Sequence, residues 1–233
     1  MLGAGQVKIG DGAAPPQSMT DFAADRIRDA IVNGAIALGT KVSEKELALA
    51  LSISKTPVRE ALLRLKNEGI IEIRPRIGTF VFRLSLIEIE KIAEYRRVLE
   101  PSAIELATRR NPARLEVALG GVVEEMRRNI AATRLTDYVR DDAAFHQHIF
   151  DLCGNDYMID GYRSISSKVQ AIRNRLSHDR DVLERSIRDH ANILAAVKER
   201  SPEKARAFTL EHLSIHEGVT ESMYERYLKP SES

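Results

Sequence analysis

Apolar residues recur at helical spacing in two short stretches between residues 43 and 69. The first stretch opens on Ser43 with Glu46 three residues on, the spacing of a capping box. Its apolar positions are Leu47, Ala48 and Leu51. After a break at residues 51–53, Ser54 suits the N-cap of a second helix. The apolar face of that helix holds Val58, Ala61, Leu62 and Leu65. The pattern predicts two amphipathic helices joined by a tight turn.

A hairpin is predicted directly after the second helix. Gly69 ends the helix, because glycine tolerates the positive φ that a helix C-terminus favours. Residues 70–74 and 79–83 then read as two strands that pair around a turn. The turn holds Arg76 close to Gly78. The N-terminal region is therefore predicted to be a winged helix-turn-helix over residues 19–84.

From residue 85 onward the pattern changes to long amphipathic stretches. Short polar breaks separate six predicted helices: 86–110, 112–133, 136–153, 155–178, 180–200 and 202–228. They predict an antiparallel all-α bundle over residues 85–230, so the fold class is mostly α. Residues 1–18 are rich in Gly, Ala and Pro, and we expect a flexible tail there.

A winged helix-turn-helix suits double-stranded DNA. The major groove admits one α-helix, and the N-terminal residues of that helix reach the base edges. In the second helix those residues are Ser54, Lys55, Thr56 and Arg59. Arg76 at the hairpin tip is placed to touch the minor groove or phosphates. Two short helices and a hairpin also occur in protein-interaction modules, which is the alternative.

Charge is distributed unevenly along the chain. The formal net charge is +1, yet residues 20–84 hold 11 Lys and Arg against 8 Asp and Glu, whereas residues 85–233 hold 23 against 25. The basic excess of the first domain is small, so one copy should bind DNA weakly. We expect a homodimer on an inverted-repeat operator.

The composition also bears on the cellular compartment. Cys153 is the single cysteine, so the chain has no intrachain disulfide. No run of about 18 apolar residues predicts a membrane span. The first residues lack the apolar core of a signal peptide. We expect a cytoplasmic protein that does not cross a membrane.

Four polar residues lie on apolar stripes of the predicted bundle. Asp142 and His146 are four residues apart, about 40° around a helix axis, so they can bind one ion together. His190 and His212 occupy similar stripes on two other helices. Burial of unpaired polar groups is costly, and one shared metal ion would satisfy all four. Buried histidines bonded to backbone carbonyls or water are the alternative, and the role of His216 stays open.

Several short motifs then point to a family. In the first domain they are Lys45–Ala48, Thr56–Ala61, Leu65–Gly69 and Gly78–Val81. In order and spacing they resemble the winged helix of the GntR family of bacterial transcription regulators. The resemblance implies that Lys45 is a basic DNA contact and that Lys55 and Thr56 lie on the reading end of the recognition helix. It also implies that Arg59 reaches deepest toward the bases and that Gly78 is the wing glycine.

The second domain carries motifs of its own. They are Arg96–Glu100, Asp142–His146, Asp189–His190 and Glu211–Leu213. They resemble the FCD effector domain of the FadR subfamily, and six helices suggest its VanR-like branch. The resemblance implies a divalent ion held by Asp142, His146, His190 and His212. This ligand set suits Zn²⁺, Ni²⁺ or Mn²⁺.

An open metal position attracts small carboxylates, so we expect a small organic acid as effector. Arg96 is the candidate cation for it, while Arg97, Arg173 and Arg175 are weaker candidates that also fit a solvated helix face. The predicted function is a metabolite-responsive transcription regulator.

A metal-dependent hydrolase is the rival function, because a three-histidine site can activate water. The chain has no HExxH motif, nucleophile elbow or phosphate-binding glycine loop, so we expect no enzyme. A structural nucleoid protein would need no inward-facing polar cluster.

Overall fold

The computed structural model describes residues 18–217 and 223–228. The predicted tail lies almost entirely outside these residues, as does the side chain of His216. The N-terminal region contains six elements: α1 Met19–Val32, β1 Lys41–Val42, α2 Glu44–Leu51, α3 Lys55–Asn67, β2 Ile71–Arg74 and β3 Gly78–Val81. The C-terminal region contains six further helices: α4 Leu86–Arg110, α5 Pro112–Ala131, α6 Leu135–Cys153, α7 Asp156–Leu176, α8 Arg180–Lys198 and α9 Pro202–Glu217. A π-helical turn follows at Tyr224–Leu228.

Ser43 caps the start of the short helix α2, and Ser52, in the left-handed backbone conformation, ends it. The Ser43 hydroxyl accepts a hydrogen bond from the backbone N–H of Glu46 at 3.2 Å and donates one to the Glu46 carboxylate at 2.8 Å. Ser52 ends the helix with a φ of 56°. This tight turn brings α3 across α2, as predicted. Ser54 holds the N-cap position of α3, as predicted, and its side chain makes no capping hydrogen bond.

Three short strands form the wing. The sheet is antiparallel in the order β1-β3-β2, with Ile71 opposite Val81 and Arg74 opposite Gly78. Gly78 has a φ of 143°, and a Cβ there would lie 2.6 Å from Cε of Lys41. A side chain at this position would therefore be strained and crowded. The hairpin was predicted, whereas β1, at two residues, and α1 were not.

The bundle follows the sequence pattern closely. Five of its helices end within two residues of the predicted bounds. The sixth, α9, is described as far as Glu217, and the predicted remainder to residue 228 includes the π-helical turn. None of the helices in the described ranges has the length and apolar character needed to cross a membrane.

Two hydrophobic cores organise the molecule, and α7 contributes to the boundary between the regions. One core fills the inside of the bundle. The other fills the winged helix and extends into the bundle through Val169, Ile172 and Leu176 of α7. The Asn174 side-chain amide also donates a hydrogen bond to the Val32 carbonyl at 2.9 Å. Helix α7 therefore packs against the winged helix as well as within the bundle.

Candidate metal centre and DNA-reading surface

Three histidines from three helices meet inside the bundle. His146 on α6 and His190 on α8 are fully buried, and His212 on α9 is 2% exposed. Nε2 of His146 lies 3.4 Å from Nε2 of His190 and 3.3 Å from Nε2 of His212. Ligands about 2.1 Å from one ion at tetrahedral angles are about 3.4 Å apart. These two distances are therefore those expected for ligands of one metal ion. One ligand atom from each histidine lies in the same cluster.

Asp142 lies beside this cluster without being part of its tight core. One carboxylate oxygen is 3.5 Å from Nε2 of His190, and the other is 3.1 Å from Nε of Arg173. The contact with Arg173 is an ion pair rather than a well-aligned hydrogen bond. Asp142 thus keeps lone pairs available next to the three imidazoles.

A carboxylate behind His146 fixes the direction of its ring. Oε2 of Glu100 on α4 lies 2.6 Å from Nδ1 of His146, and Nε of Arg96 donates to Oε1 of Glu100 at 2.5 Å. Nδ1 of His146 therefore carries the proton, and Nε2 presents its lone pair to the cluster. Burial opposes the charge on Glu100, but the positive charge of Arg96 and the hydrogen bond from His146 outweigh it and hold the Glu100 pKa well below its ordinary value.

The imidazoles of His146 and His190 are neutral, as metal ligands must be. Burial, reinforced by the charge of Arg173, places the pKa of His146 well below its ordinary value. Burial and the neighbouring His212 do the same for His190. Neutral imidazoles whose Nε2 atoms converge fit a divalent ion, because the lone pairs are not used by protons.

Several buried polar atoms around the cluster make no hydrogen bond. They are Nδ1 of His190 and His212, Nη2 of Arg96 and Arg173, and one carboxylate oxygen each of Asp142 and Asp189. Nδ1 of His212 lies 3.7 Å from that oxygen of Asp189, too far for a hydrogen bond. Buried polar groups without partners are rare in folded proteins. These unpaired donors and acceptors fit a site that is completed by an ion, water or an anion.

Arg173, not Arg96, faces the space beside the cluster. A cavity of about 30 Å³ is lined by Tyr138, Asp142, Arg173, Ser186 and His212 among others. Arg96 instead lines a separate void of about 10 Å³ formed by apolar residues of α4 and α7. Both arginines are buried, so the solvated-face interpretation of Arg173 was wrong. The larger cavity has room for on the order of one water.

The candidate side chains for DNA contact are exposed. Lys45 on α2, Ser54 to Thr56 at the start of α3, and Arg76 at the wing tip are all exposed. The Arg59 side chain is 66% exposed, and its guanidinium makes two hydrogen bonds of 2.9 Å to the Glu44 carboxylate. Arg76 lies in the turn between β2 and β3 with a φ of 63°. Basic side chains thus extend from the helix and from the wing.

Comparison with known proteins settles the family. The model of the bacterial regulatory proteins of the gntR family matches residues 19–81, and the FCD domain model matches residues 91–214. The chain belongs to the GntR family. It is a GntR regulator of the FadR subfamily, with a winged helix-turn-helix followed by a six-helix FCD domain.

Relatives at moderate identity are regulators throughout. The HTH-type transcriptional repressor RspR of Escherichia coli K12 is 28% identical over 198 residues, which is 83% of this chain and 85% of the relative. The Nta operon transcriptional regulator of Aminobacter aminovorans is 29% identical and covers 76% of this chain and 83% of its own length. The gluconate operon transcriptional repressor of Bacillus licheniformis is 29% identical and covers 74% of this chain and 72% of its own length. They are transcription regulators and not enzymes.

Solved structures show the same fold. Escherichia coli McbR/YncC has a TM-score of 0.76 at 21% identity and covers 90% of this chain and 98% of its own. A GntR regulator from Rhodococcus sp. RHA1 has a TM-score of 0.69 at 20% identity, with 86% and 98% covered. These likenesses concern the fold alone.

The sequence alone did not predict the roles of two residues. Glu100 belongs to the Arg96–Glu100 motif but had no predicted role. Its contact with His146 joins α4 to α6 across 46 residues. Glu44 was not singled out, although it pairs with Arg59 from the neighbouring helix. Both contacts are set by packing between helices, which periodicity within one helix does not report.

Proposed function

We propose that this GntR regulator responds to a small carboxylate that binds at a metal ion in the FCD domain and changes operator affinity. The supporting observation is the convergence of three imidazoles, with Nε2 of His146 3.3 to 3.4 Å from Nε2 of the other two and with Asp142 and Arg173 beside them. The ion would be held by His146, His190 and His212, with Asp142 as fourth ligand. Zn²⁺, Ni²⁺ and Mn²⁺ all suit this ligand set.

The carboxylate class follows from the charges of the cavity. A bound divalent ion would supply positive charge and an open position for an oxygen ligand. Arg173 lines the same cavity, and its unpartnered Nη2 can donate to a second oxygen of the same carboxylate. We therefore assign this role to Arg173 ahead of Arg96. Gluconate, after which the operon of one relative is named, is an acid of the proposed class.

The small size of the cavity constrains how the acid enters. About 30 Å³ does not admit an organic acid without displacement of a wall. Arg173 belongs to α7, which also packs on the winged helix. Movement of α7 to accept the acid would shift the winged helix relative to the bundle. The acid can change operator affinity only by the difference between its affinities for the protein with the winged helix in the original and in the shifted placement.

On the DNA side, we propose that Lys45, Ser54, Lys55, Thr56, Arg59, Arg76 and Gly78 form the operator contact. Arg59 reads a base, Lys45 meets phosphate, and two copies in a homodimer occupy the half-sites of an inverted repeat. The exposure of these basic side chains supports this assignment. We place the domain division at residues 84 and 85 and the protein in the cytoplasm, where its operator lies. The six bundle helices support the VanR-like branch.

The test is an operator titration combined with metal analysis. Purified protein is loaded with each metal, and its affinity for an inverted-repeat operator is measured with a panel of organic acids present. We expect a saturable change in affinity for one acid class that is lost after treatment with chelator. An unchanged affinity across the panel in metal-loaded protein would contradict the proposal.

A further inference from the structure

A second cavity, of about 390 Å³, lies between the winged helix and the bundle. The turn after α1 lines it on one side with Asn33, Gly34, Ala37 and Leu38. The start of α6 and the end of α7 line it on the other side. None of the three clustered histidines, Asp142 or Arg173 contributes to its lining. The cavity is therefore distinct from the metal centre, and its volume suits a small molecule.

Arg175 gives this cavity a positive charge that no carboxylate of the described residues balances. Its side chain is partly buried, and Nη1 donates to the Ala171 carbonyl of its own helix at 2.8 Å. Neighbouring arginines have carboxylate partners, as Arg173 has in Asp142 and Arg180 has in Glu184. Burial lowers the pKa of Arg175, and within the described part of the chain no negative charge opposes that effect. Withdrawal of a cation from water without a counter-charge is costly, and a bound anion would offset the cost.

The rest of the lining favours an organic anion over an inorganic one. Thr136, Asn174 and His178 add hydroxyl, amide and imidazole groups to the guanidinium of Arg175. The apolar share of the lining consists of Ala37, Leu38, Leu135 and Leu228. A ligand that uses both sets has a charged head and an apolar body.

We propose that this interdomain cavity is a second ligand site, for a small organic anion with an apolar body such as an aromatic carboxylate. Arg175 binds the anionic head. Arg173 and Arg175 are two residues apart, about 200° around the axis of α7. The helix therefore presents Arg173 to the metal centre and Arg175 to the interdomain cavity. An anion here touches both domains at once and fixes the placement of the winged helix on the bundle. It therefore modulates operator affinity independently of the metal.

Calorimetric titration of chelator-treated protein with benzoate tests the proposal, because metal removal silences the other carboxylate site. We expect saturable binding of benzoate and none of benzyl alcohol, its uncharged counterpart. Arg175→Gln should weaken benzoate binding by about tenfold or more, since a charge-assisted contact is lost. Arg175→Lys should retain much of the affinity. Arg180→Gln, an exposed arginine on the next helix, is the matched control and should bind as the wild type does.

A second variant keeps the test decisive if Arg175→Gln folds poorly. Ala37 lines the cavity from the winged-helix side and is exposed, so Ala37→Phe fills the space without disturbing a core. We expect it to block benzoate binding. Absence of saturable binding, or benzoate affinity unchanged in Arg175→Gln and Ala37→Phe, would overturn the proposal. Because the protein is free of metal throughout, neither result depends on the proposed role of the metal centre.

Discussion

The two functional regions of this regulator are built in opposite ways. The candidate DNA-reading residues come from α2, α3 and the wing, and their side chains are exposed. The candidate metal centre draws single side chains from α6, α8 and α9, and all are buried. The first region is local in sequence, and we expect its exposed side chains to contribute little to stability. The second is assembled by packing, so the loss of one residue affects binding and stability together.

This contrast predicts its largest effect at the histidines. His190→Ala or His212→Ala should strip the ion and abolish the response to carboxylate, because each removes a ligand that ties one helix to the others. An ion present at a thousand times its dissociation constant stabilises a protein by about 4 kcal/mol, and that stabilisation should vanish. Operator affinity should stay close to wild type. Thermal unfolding with and without metal, followed by operator titration, measures both effects.

His148→Ala and His178→Ala are the matched controls for this prediction. His148 is partly buried outside the cluster and His178 is exposed, so metal-dependent stabilisation should persist in both. An operator affinity that falls tenfold in His190→Ala would break the separation of the two regions.

The converse effect is expected at Arg59. Arg59→Ala should weaken operator binding by about 1–3 kcal/mol per half-site, since a bidentate arginine contact to guanine is lost. Thermal stability should hardly change, because the Glu44–Arg59 pair is exposed. Lys45→Ala should instead weaken operator and random DNA alike and flatten the salt dependence. Titrations at several salt concentrations separate the two variants, and equal losses on all sequences for Arg59→Ala would remove it as a base reader.

A smaller effect distinguishes the two buried arginines. Arg173→Lys keeps a positive charge beside Asp142 but loses the planar fork, so the response to carboxylate should require about tenfold more acid. Arg96 lies behind Glu100, away from the cavity, so Arg96→Lys should leave the half-saturating acid concentration nearly unchanged. The half-saturating acid concentration in operator titrations is the measurement. A larger increase of this concentration in Arg96→Lys than in Arg173→Lys would assign the effector contact to Arg96 instead.

A further effect, on the stability of the metal-free protein, is expected from pH. His146 and His190 have folded pKa values below the ordinary value of 6.5, so the unfolded chain binds more protons once the pH falls below about 6.5. Stability of the metal-free protein is therefore complete above that value and declines as the pH falls from it. Urea unfolding between pH 8 and pH 5 should show this decline in the free energy of unfolding. His148→Ala should show the same decline with pH. A flat profile would contradict the neutral state of the two histidines.

Sequence reasoning reached the two regions unequally for the same physical reason. The capping of α2, the turn at Ser52 and the glycine of the wing are local features, so short motifs predicted them. The inward stripe of α6 likewise predicted that Asp142 and His146 are buried.

Contacts between helices were harder to predict. The Glu100–His146 bond and the cavity beside Arg173 depend on how α4, α6 and α7 pack, which no single stripe encodes. Arg173 reads as a surface residue because its helix carries charged residues on several sides. Strand β1 was missed because two residues give no alternation to detect.

The central claim is that His146, His190 and His212 together hold one divalent ion in each chain. Elemental analysis of metal per chain, after dialysis against chelator and reloading, tests it most directly. We predict one ion per chain in the wild type and in His148→Ala, and less than about a tenth of that in His190→Ala and His212→Ala. Full occupancy in both of these variants would contradict the ligand set and make the three residues buried core histidines.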